Sequence, residues 1–164
     1  MTKGDKSSSS DKGIKSFVLV CVDAHESGVR ALDWYYDHFH NEDHTIGLVH
    51  VYNPPRPGAQ SLVYPAELYE KYQVWLCEVR KRSVGIMNKI AQVCVQRGLK
   101  YEAFVMEKMG TVGETICDLA KEKEADFIVM GQSCVDSTKK LRRSQNVSEH
   151  VVQNAHASVL IAPL

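Results

Sequence analysis

The sequence contains no long apolar run. No stretch approaches the roughly 20 apolar residues that a helix needs to cross a bilayer, and the N-terminus lacks the apolar core of a signal peptide. From these features we expect neither a membrane protein nor a secreted disulfide scaffold. We expect a cytoplasmic protein with no membrane partner.

Net charge and paired cysteines are also absent. Twenty basic and twenty acidic side chains cancel, so no overall positive charge favours nucleic acid, and we expect no nucleic-acid partner. The five cysteines are odd in number, scattered and without a C-x-x-C pair. That pattern is typical of reduced thiols inside a cell rather than of a disulfide scaffold.

The chain lacks the common motifs of nucleophilic catalysis. No G-x-S-x-G segment is present, and no Ser/His/Asp set can be placed in one cleft from the sequence. The segment HFHNEDH contains imidazole and carboxylate groups that could ligate a divalent metal ion, namely His38, His40, His44, Glu42 and Asp43. We expect a helix end and a loop there rather than a rigid site, and we interpret His50 as a hydrogen-bonded core histidine.

What is present is an alternation of strand and helix patterns. Residues 1–13 are rich in serine and charge and predict a disordered tail, and residues 14–164 predict a single domain. Five apolar runs predict strands at Phe17–Val22, Ile46–Tyr52, Leu99–Met106, Phe127–Met130 and Ser158–Ala162. Helical patterns separate all of them, which predicts an α/β fold with a doubly wound, five-stranded parallel sheet and helices on both faces.

Several helix features follow from local patterns. Thr111 and Glu114 have capping-box spacing at the start of the third helix, and Gly98 is expected to end the second. Helical spacing predicts two buried faces. The first comprises Val29, Leu32, Tyr36 and Phe39, and the second, on a helix from Glu67 to about Gln96, comprises Leu68, Tyr72, Trp75, Val79, Ile86, Ile90 and Val93.

Candidate binding residues cluster where two predicted strands end. Asp23 follows the first strand and Gly131 closes the fourth, and the reversal of a doubly wound sheet creates a ligand crevice at such strand ends. A basic loop follows Gly131 and contains Lys139, Lys140, Arg142 and Arg143. It leads to a helix start at Asn146, where the N–H groups of Val147 and Ser148 could bind phosphate. A turn-capping Asp23, a solvated basic loop and a plain helix cap are the alternatives.

Four segments in this order resemble the universal stress protein domain. They are FVLVCVDAHESGVRALDWYYDHF (Phe17–Phe39), LVHVYNP (Leu48–Pro54), ADFIVMG (Ala125–Gly131) and VSEHVVQNAHASVLIAP (Val147–Pro163). The resemblance covers nearly the whole chain after the tail. It implies strand order 3-2-1-4-5 and a homodimer joined through the last strand, where Val159, Leu160 and Ile161 form an apolar edge that invites pairing.

The resemblance also implies an adenine nucleotide site. Asp23, Val51, Met130 and Gly131 match positions that hold adenine and ribose in nucleotide-binding members. In those members, two residues separate the first glycine from a second one. Nine further residues separate the second glycine from a Gly-Ser or Gly-Thr pair. Here Cys134 replaces the second glycine, and Ser144-Gln145 or Gln145-Asn146 replaces the later pair, depending on the alignment.

Side chains at these positions disfavour positive φ and keep phosphate away from backbone N–H groups. We therefore expect weak binding of ATP, ADP or AMP, with Mg²⁺ only if a triphosphate binds, and at most weak ATP hydrolysis. The alternative is a homodimeric interaction protein that binds no nucleotide. A third hypothesis, ranked below both, is thiol-based sensing through Cys134.

Overall fold

In the part of the chain that the structure describes, five strands alternate with four helices. The computed structural model describes residues 15–23, 27–54, 66–132 and 147–163, with the side chains of 66 and 67 excluded. The elements are β1 (Ser16–Cys21), α1 (Ser27–His38), β2 (His44–Tyr52), α2 (Ala66–Gln96), β3 (Tyr101–Glu107), α3 (Val112–Glu122), β4 (Phe127–Gly131), α4 (Val147–Asn154) and β5 (Ser158–Ala162). The predicted alternation is confirmed.

The strands form one parallel sheet in the order β3-β2-β1-β4-β5. The chain winds outward from β1 through β2 to β3, then crosses to the other side of β1 to form β4 and β5. The winding therefore reverses between β1 and β4, where Val18 pairs with Phe127 and Val20 with Val129. The predicted strand order and fold class are confirmed.

Two hydrophobic cores lie on opposite faces of the sheet. Alternate residues of β1 point to opposite faces, so Val18 and Val20 pack with α1 and α2, whereas Leu19 packs with α3 and α4. The side chains of Val18, Leu19 and Val20 are fully buried. A strand covered by helices on both faces needs continuous apolar character, which explains the run from Phe17 to Val22.

The predicted buried face of α1 is correct for Leu32 and in part for Val29, and it is wrong for Tyr36 and Phe39. The structure buries Ala31, Leu32 and Tyr35, whereas Tyr36 is 37% exposed and Phe39 is 46% exposed. Adjacent aromatic residues fit helical spacing equally well, and the choice between them depends on the rotation of the helix against the sheet. Tyr36 instead lies under the guanidinium of Arg97, 4.7 Å from the ring centroid.

The prediction for α2 is correct only for the second half of the helix. Ile90 is buried, and Ile86 and Val93 are partly buried against the core. Leu68, in contrast, is 46% exposed and Trp75 is 52% exposed. The reason is length, because a helix of 31 residues is about 46 Å long, whereas β2, with nine residues, is about 30 Å long. The helix is therefore about 16 Å longer than the strand, and its first half contributes no residue to the described cores.

The predicted helix boundaries are confirmed at two termini. At the start of α3, the Thr111 hydroxyl accepts a hydrogen bond from the Glu114 N–H (3.1 Å), and the Glu114 carboxylate accepts one from the Thr111 N–H (2.7 Å). At the end of α2, Gly98 adopts φ of 67°, a conformation that glycine tolerates without strain. No helix in the described ranges is long and apolar enough to cross a membrane.

Candidate functional site

A cavity of about 140 Å³ lies at the carboxyl ends of β1 and β4. This is the point where the winding of the sheet reverses, which is where ligands bind in open α/β sheets. Strand ends of β1, β2 and β4 form its floor, and the first turns of α1, α3 and α4 approach its rim. The lining includes five of the predicted site residues: Asp23, Val51, Met130, Gly131 and Val147.

The other predicted site residues lie elsewhere. Ser148 is half-buried in the first turn of α4 and does not line the cavity. Seven predicted residues lie outside the described part of the chain: Cys134, Lys139, Lys140, Arg142, Arg143, Gln145 and Asn146. The contribution of the basic loop therefore stays a prediction.

Asp23 is joined to the start of α1. The Ser27 hydroxyl donates a hydrogen bond to the Asp23 carboxylate, and both residues line the cavity. Ser27 is 7% exposed, so this contact links the end of β1 to the first turn of α1. A carboxylate held in this position can accept hydrogen bonds from the hydroxyl groups of a ligand.

Gly131 is required by close packing rather than by backbone conformation. Its φ is not positive. A Cβ at this position would lie 2.5 Å from the Ser27 carbonyl oxygen and 3.1 Å from the Ser27 Cβ. The absence of a side chain at Gly131 therefore lets the first turn of α1 approach the end of β4 beside the cavity.

Sequence reasoning did not assign the remaining wall of the cavity. Six further residues line it: Cys21, Val22, Ser27, Val49, Val112 and Ile116. Most are apolar, so the cavity combines an apolar wall with one carboxylate, which is the usual composition of a small-molecule site. Val112 and Ile116 are four residues apart and so lie on one face of α3, and the packing of α3 on the sheet brings this face to the cavity.

The cysteines near the cavity are poor nucleophiles. Burial, together with the neighbouring Cys117 thiol, raises the pKa of Cys21 to about 12. Burial also raises the pKa of Cys117, and the carboxylates of Asp118 and Glu114 add to the effect. Both thiols are therefore protonated at neutral pH, which disfavours reaction with electrophiles or oxidants.

His50 is confirmed as a hydrogen-bonded core histidine. It is 7% exposed, and its Nδ1 lies 2.8 Å from the Val22 carbonyl oxygen. This bond joins β2 to the residue before Asp23. His50 therefore helps to fix the backbone next to Asp23, although it does not itself line the cavity.

The histidine cluster at the end of α1 takes part in aromatic packing. His44 Nδ1 lies 2.7 Å from the Tyr35 hydroxyl, His40 stacks on Tyr36, and His38 stacks on Trp34. Within the described ranges, no group of three or more His, Cys, Asp or Glu side chains is arranged to hold a metal ion. The cluster also lies at the start of β2, the opposite end of the sheet from the cavity.

We expect His40 to make stability depend on pH. Burial and the neighbouring His44 lower its pKa below the ordinary value of 6.5, against a smaller opposing effect of Glu42. The unfolded chain therefore binds a proton at a higher pH than the folded protein does. The stabilisation is present above pH 6.5 and is lost as the pH falls through the lower folded pKa.

Urea unfolding at pH 7.5, 6.5 and 5.5 checks this expectation. The free energy of unfolding of the wild type should fall more steeply with decreasing pH than that of His40→Gln, which has no titrating group at position 40. Parallel pH profiles for the two proteins would contradict it. The comparison uses slopes, so any loss of ring stacking in the variant cancels.

Fold and cavity together define a class of protein: a doubly wound α/β domain with a small-molecule crevice at its winding reversal. The model of the Universal stress protein family matches residues 17–163. The chain therefore belongs to the universal stress protein family. The family resemblance stated from the sequence segments is confirmed.

Solved structures of the same fold agree with this assignment. UspA from Lactobacillus plantarum is similar over 90% of this chain and 97% of its own, at 18% identity and a TM-score of 0.66. A family protein from Arabidopsis thaliana, solved with AMP bound, is similar over 90% and 91% of the two chains, at 19% identity and a TM-score of 0.59. A universal stress protein in complex with cAMP is similar over 89% of this chain and 95% of its own, at 19% identity and a TM-score of 0.61. At these identities the likeness shows a shared fold. No curated protein matches the chain.

Proposed function

We propose that this universal stress protein binds an adenine nucleotide weakly in the cavity between the ends of β1 and β4. The observation that carries the proposal is the meeting of Asp23, Gly131 and Val147 around one apolar cavity at the winding reversal. Each comes from a different segment of the chain. Only the fold brings a carboxylate, a closely packed glycine and a helix N-terminus to one place.

The cavity wall suits an adenine ring and a ribose. Val49, Val51 and Met130 form an apolar surface against which a flat base can be buried. Asp23 lies at the same cavity and would accept hydrogen bonds from ribose hydroxyl groups. The AMP and cAMP carried by two similar structures support the adenine class of ligand.

The phosphate end of the ligand would lie toward the start of α4. Val147, the first residue of α4, lines the cavity, and the free N–H groups of a helix N-terminus favour an anion. The predicted site includes Ser148 in this turn and the basic side chains of the preceding loop. Mg²⁺ would be needed only for ATP, whose three phosphates bind the ion.

Calorimetric titration with AMP, ADP and ATP tests the proposal, with GMP as the control base. We expect dissociation constants in the range of about 10 µM to 1 mM for the adenine nucleotides and weaker binding of GMP. No heat with any adenine nucleotide at millimolar concentration would overturn the proposal. That result would favour the alternative hypothesis, a homodimeric interaction protein that binds no nucleotide.

We also propose a homodimer joined through β5. Among the described strands, β5 pairs only with β4 and forms one edge of the sheet. Its Ile161 side chain is 38% exposed. An apolar edge strand favours pairing with a second edge. Val159 and Leu160 are half-buried against the two cores, so they fix the strand while its outer edge stays available.

Ile161→Lys should weaken this association. A lysine on each of two paired edges introduces like charges beside each other, and we expect the dissociation constant to rise roughly tenfold. Sedimentation equilibrium should show a lower average mass than for the wild type at the same concentration. Val95→Lys is the matched control, because Val95 is 64% exposed on α2, away from β5. Equal masses for wild type and Ile161→Lys would contradict the interface.

The proposed location is the cytoplasm. The thiols of Cys21, Cys77, Cys94 and Cys117 are free, as expected in a reducing compartment. This location can be checked by fractionation with antibody detection.

A further inference from the structure

The first half of α2 packs on neither of the two cores that the described residues form. We refer to residues 68–82 as the α2 overhang. None of its side chains is buried, and among the described side chains of the helix the first buried one is Ser83. Neither hydrophobic core includes an α2 residue before Ile86. A helical segment that is not stabilised by tertiary packing is marginal in water.

The α2 overhang nevertheless carries an apolar stripe. Leu68, Tyr72, Trp75 and Val79 follow one another at spacings of four, three and four. This is the spacing of alternating d and a positions in a coiled coil, which places all four on one side of the helix. Leu68 is 46% exposed and Trp75 is 52% exposed. Such a stripe is typical of a helix that pairs with a second helix.

Charges beside the stripe indicate what the second helix is. Lys71 and Glu78 directly precede Tyr72 and Val79, so they share one flank of the stripe and occupy equivalent g positions. Together with Trp75 they line a groove on this surface. Both are exposed, and within the described part of the chain neither forms an ion pair.

Opposite charges at two equivalent positions are self-complementary. When two copies of one helix pair in antiparallel orientation about a two-fold axis, g positions face g positions across the interface. Lys71 then meets the partner's Glu78, and Glu78 meets the partner's Lys71. In a parallel pair, g positions face e positions instead, and the e positions here, Leu76 and Ser83, are uncharged.

We propose that the α2 overhang docks against the α2 overhang of a second copy of this chain, in antiparallel orientation. The stripe then forms two kinds of layer, Tyr72 on the partner's Trp75 and Leu68 on the partner's Val79. The helices overlap over residues 66–81, a length of about 24 Å. In this orientation the two described sheets lie at opposite ends of the paired segment.

This interface is separate from the proposed contact through β5. Each is a two-fold contact that uses its own surface, and the chain can form either one without the other. If both form, the wild type assembles beyond a dimer. The α2 contact is therefore tested in the Ile161→Lys background, where association through β5 is weakened.

Charge reversal gives a test that a folding defect cannot mimic. Lys71→Glu places two glutamates together at both ends of the interface, and Glu78→Lys places two lysines together. We expect each single variant to raise the dissociation constant on the order of tenfold, measured by sedimentation equilibrium. The parent protein in these measurements is Ile161→Lys. An equimolar mixture of the two charge-reversal variants should associate as tightly as this parent, because every contact in the mixed pair joins Glu with Lys. The double variant should also associate, since it only exchanges the charges.

Trp75 provides a second measurement on the same interface. The chain has two tryptophans, so Trp34→Phe leaves Trp75 as the only one. Its emission should shift to shorter wavelength with increasing protein concentration, and Lys71→Glu should move that transition to about tenfold higher concentration. A parent that stays monomeric at hundreds of micromolar, or single variants that associate like the parent, would overturn the proposal. So would a mixture that associates no better than either variant alone.

Discussion

Gly131→Ala should lower the free energy of unfolding by about 2 to 3 kcal/mol, the usual cost of inserting an atom into a closely packed site. The added Cβ would lie 2.5 Å from the Ser27 carbonyl oxygen. That oxygen belongs to the helix backbone and cannot move alone, so α1 must shift away from β4. Urea unfolding followed by circular dichroism measures the loss.

Gly85→Ala is the matched control for this substitution. Gly85 lies in an exposed part of α2, and a Cβ there meets nothing within 4 Å. Alanine is favoured over glycine inside a helix, so this variant should gain roughly 0.5 to 1 kcal/mol. One chemical change is thus expected to have opposite signs at two positions. If Gly131→Ala is as stable as the wild type, the close approach of α1 to β4 is not a constraint.

The same substitution should also weaken nucleotide binding. Gly131 and Ser27 both line the cavity, so a shift of α1 changes its shape and the position of the Ser27 hydroxyl that holds Asp23. We expect the loss of affinity for AMP to persist at temperatures where the variant is fully folded. Unchanged affinity in the folded variant would place the ligand elsewhere.

Asp23→Ala should reduce the affinity for AMP more than tenfold. Hydrogen bonds to a charged group contribute about 1.5 to 3 kcal/mol, which corresponds to a factor of roughly 10 to 150. Asp23 lines the cavity and is held by the Ser27 hydroxyl, so its carboxylate is already oriented before a ligand arrives. Calorimetric titration of the variant beside the wild type measures the change.

Ligand analogues show whether Asp23 contacts the ribose. The 2′,3′-dideoxy analogue of AMP lacks both ribose hydroxyl groups. It should bind the wild type more weakly than AMP does, and Asp23→Ala should cause little further loss with this analogue. Ser27→Ala serves as the positioning control, with a smaller loss because the carboxylate remains. An equal effect of Asp23→Ala on both ligands would contradict a contact between Asp23 and the ribose.

The candidate site was predictable where strand ends determine it. Asp23 lies two residues after β1 and Gly131 is the last residue of β4, and parallel topology alone places such residues at one edge of the sheet. The residues missed from sequence, such as Ser27 and Ile116, lie in helices whose first turns reach the cavity. Their contribution depends on how each helix sits on the sheet, which no local pattern specifies.

The helical faces show the same limit. Periodicity predicted Tyr36 as an inward residue of α1, but the structure buries Tyr35. A rotation of about 100° per residue separates these neighbours, and packing against β1 and β4 selects between them. Periodicity on α2 was real along the whole helix, yet it could not indicate where along the helix packing on the cores begins.

The sequence by itself determined the order of strands and helices, the parallel doubly wound class and the family. Apolar runs, capping residues and glycine positions act locally, so they can be recognised without knowing the tertiary structure. Only the tertiary structure decided that Gly131 is needed for the Ser27 backbone, that an apolar wall completes the cavity around Asp23, and that the first half of α2 packs on neither described core. Each of these depends on distances between segments far apart in the chain, and such distances are set by packing.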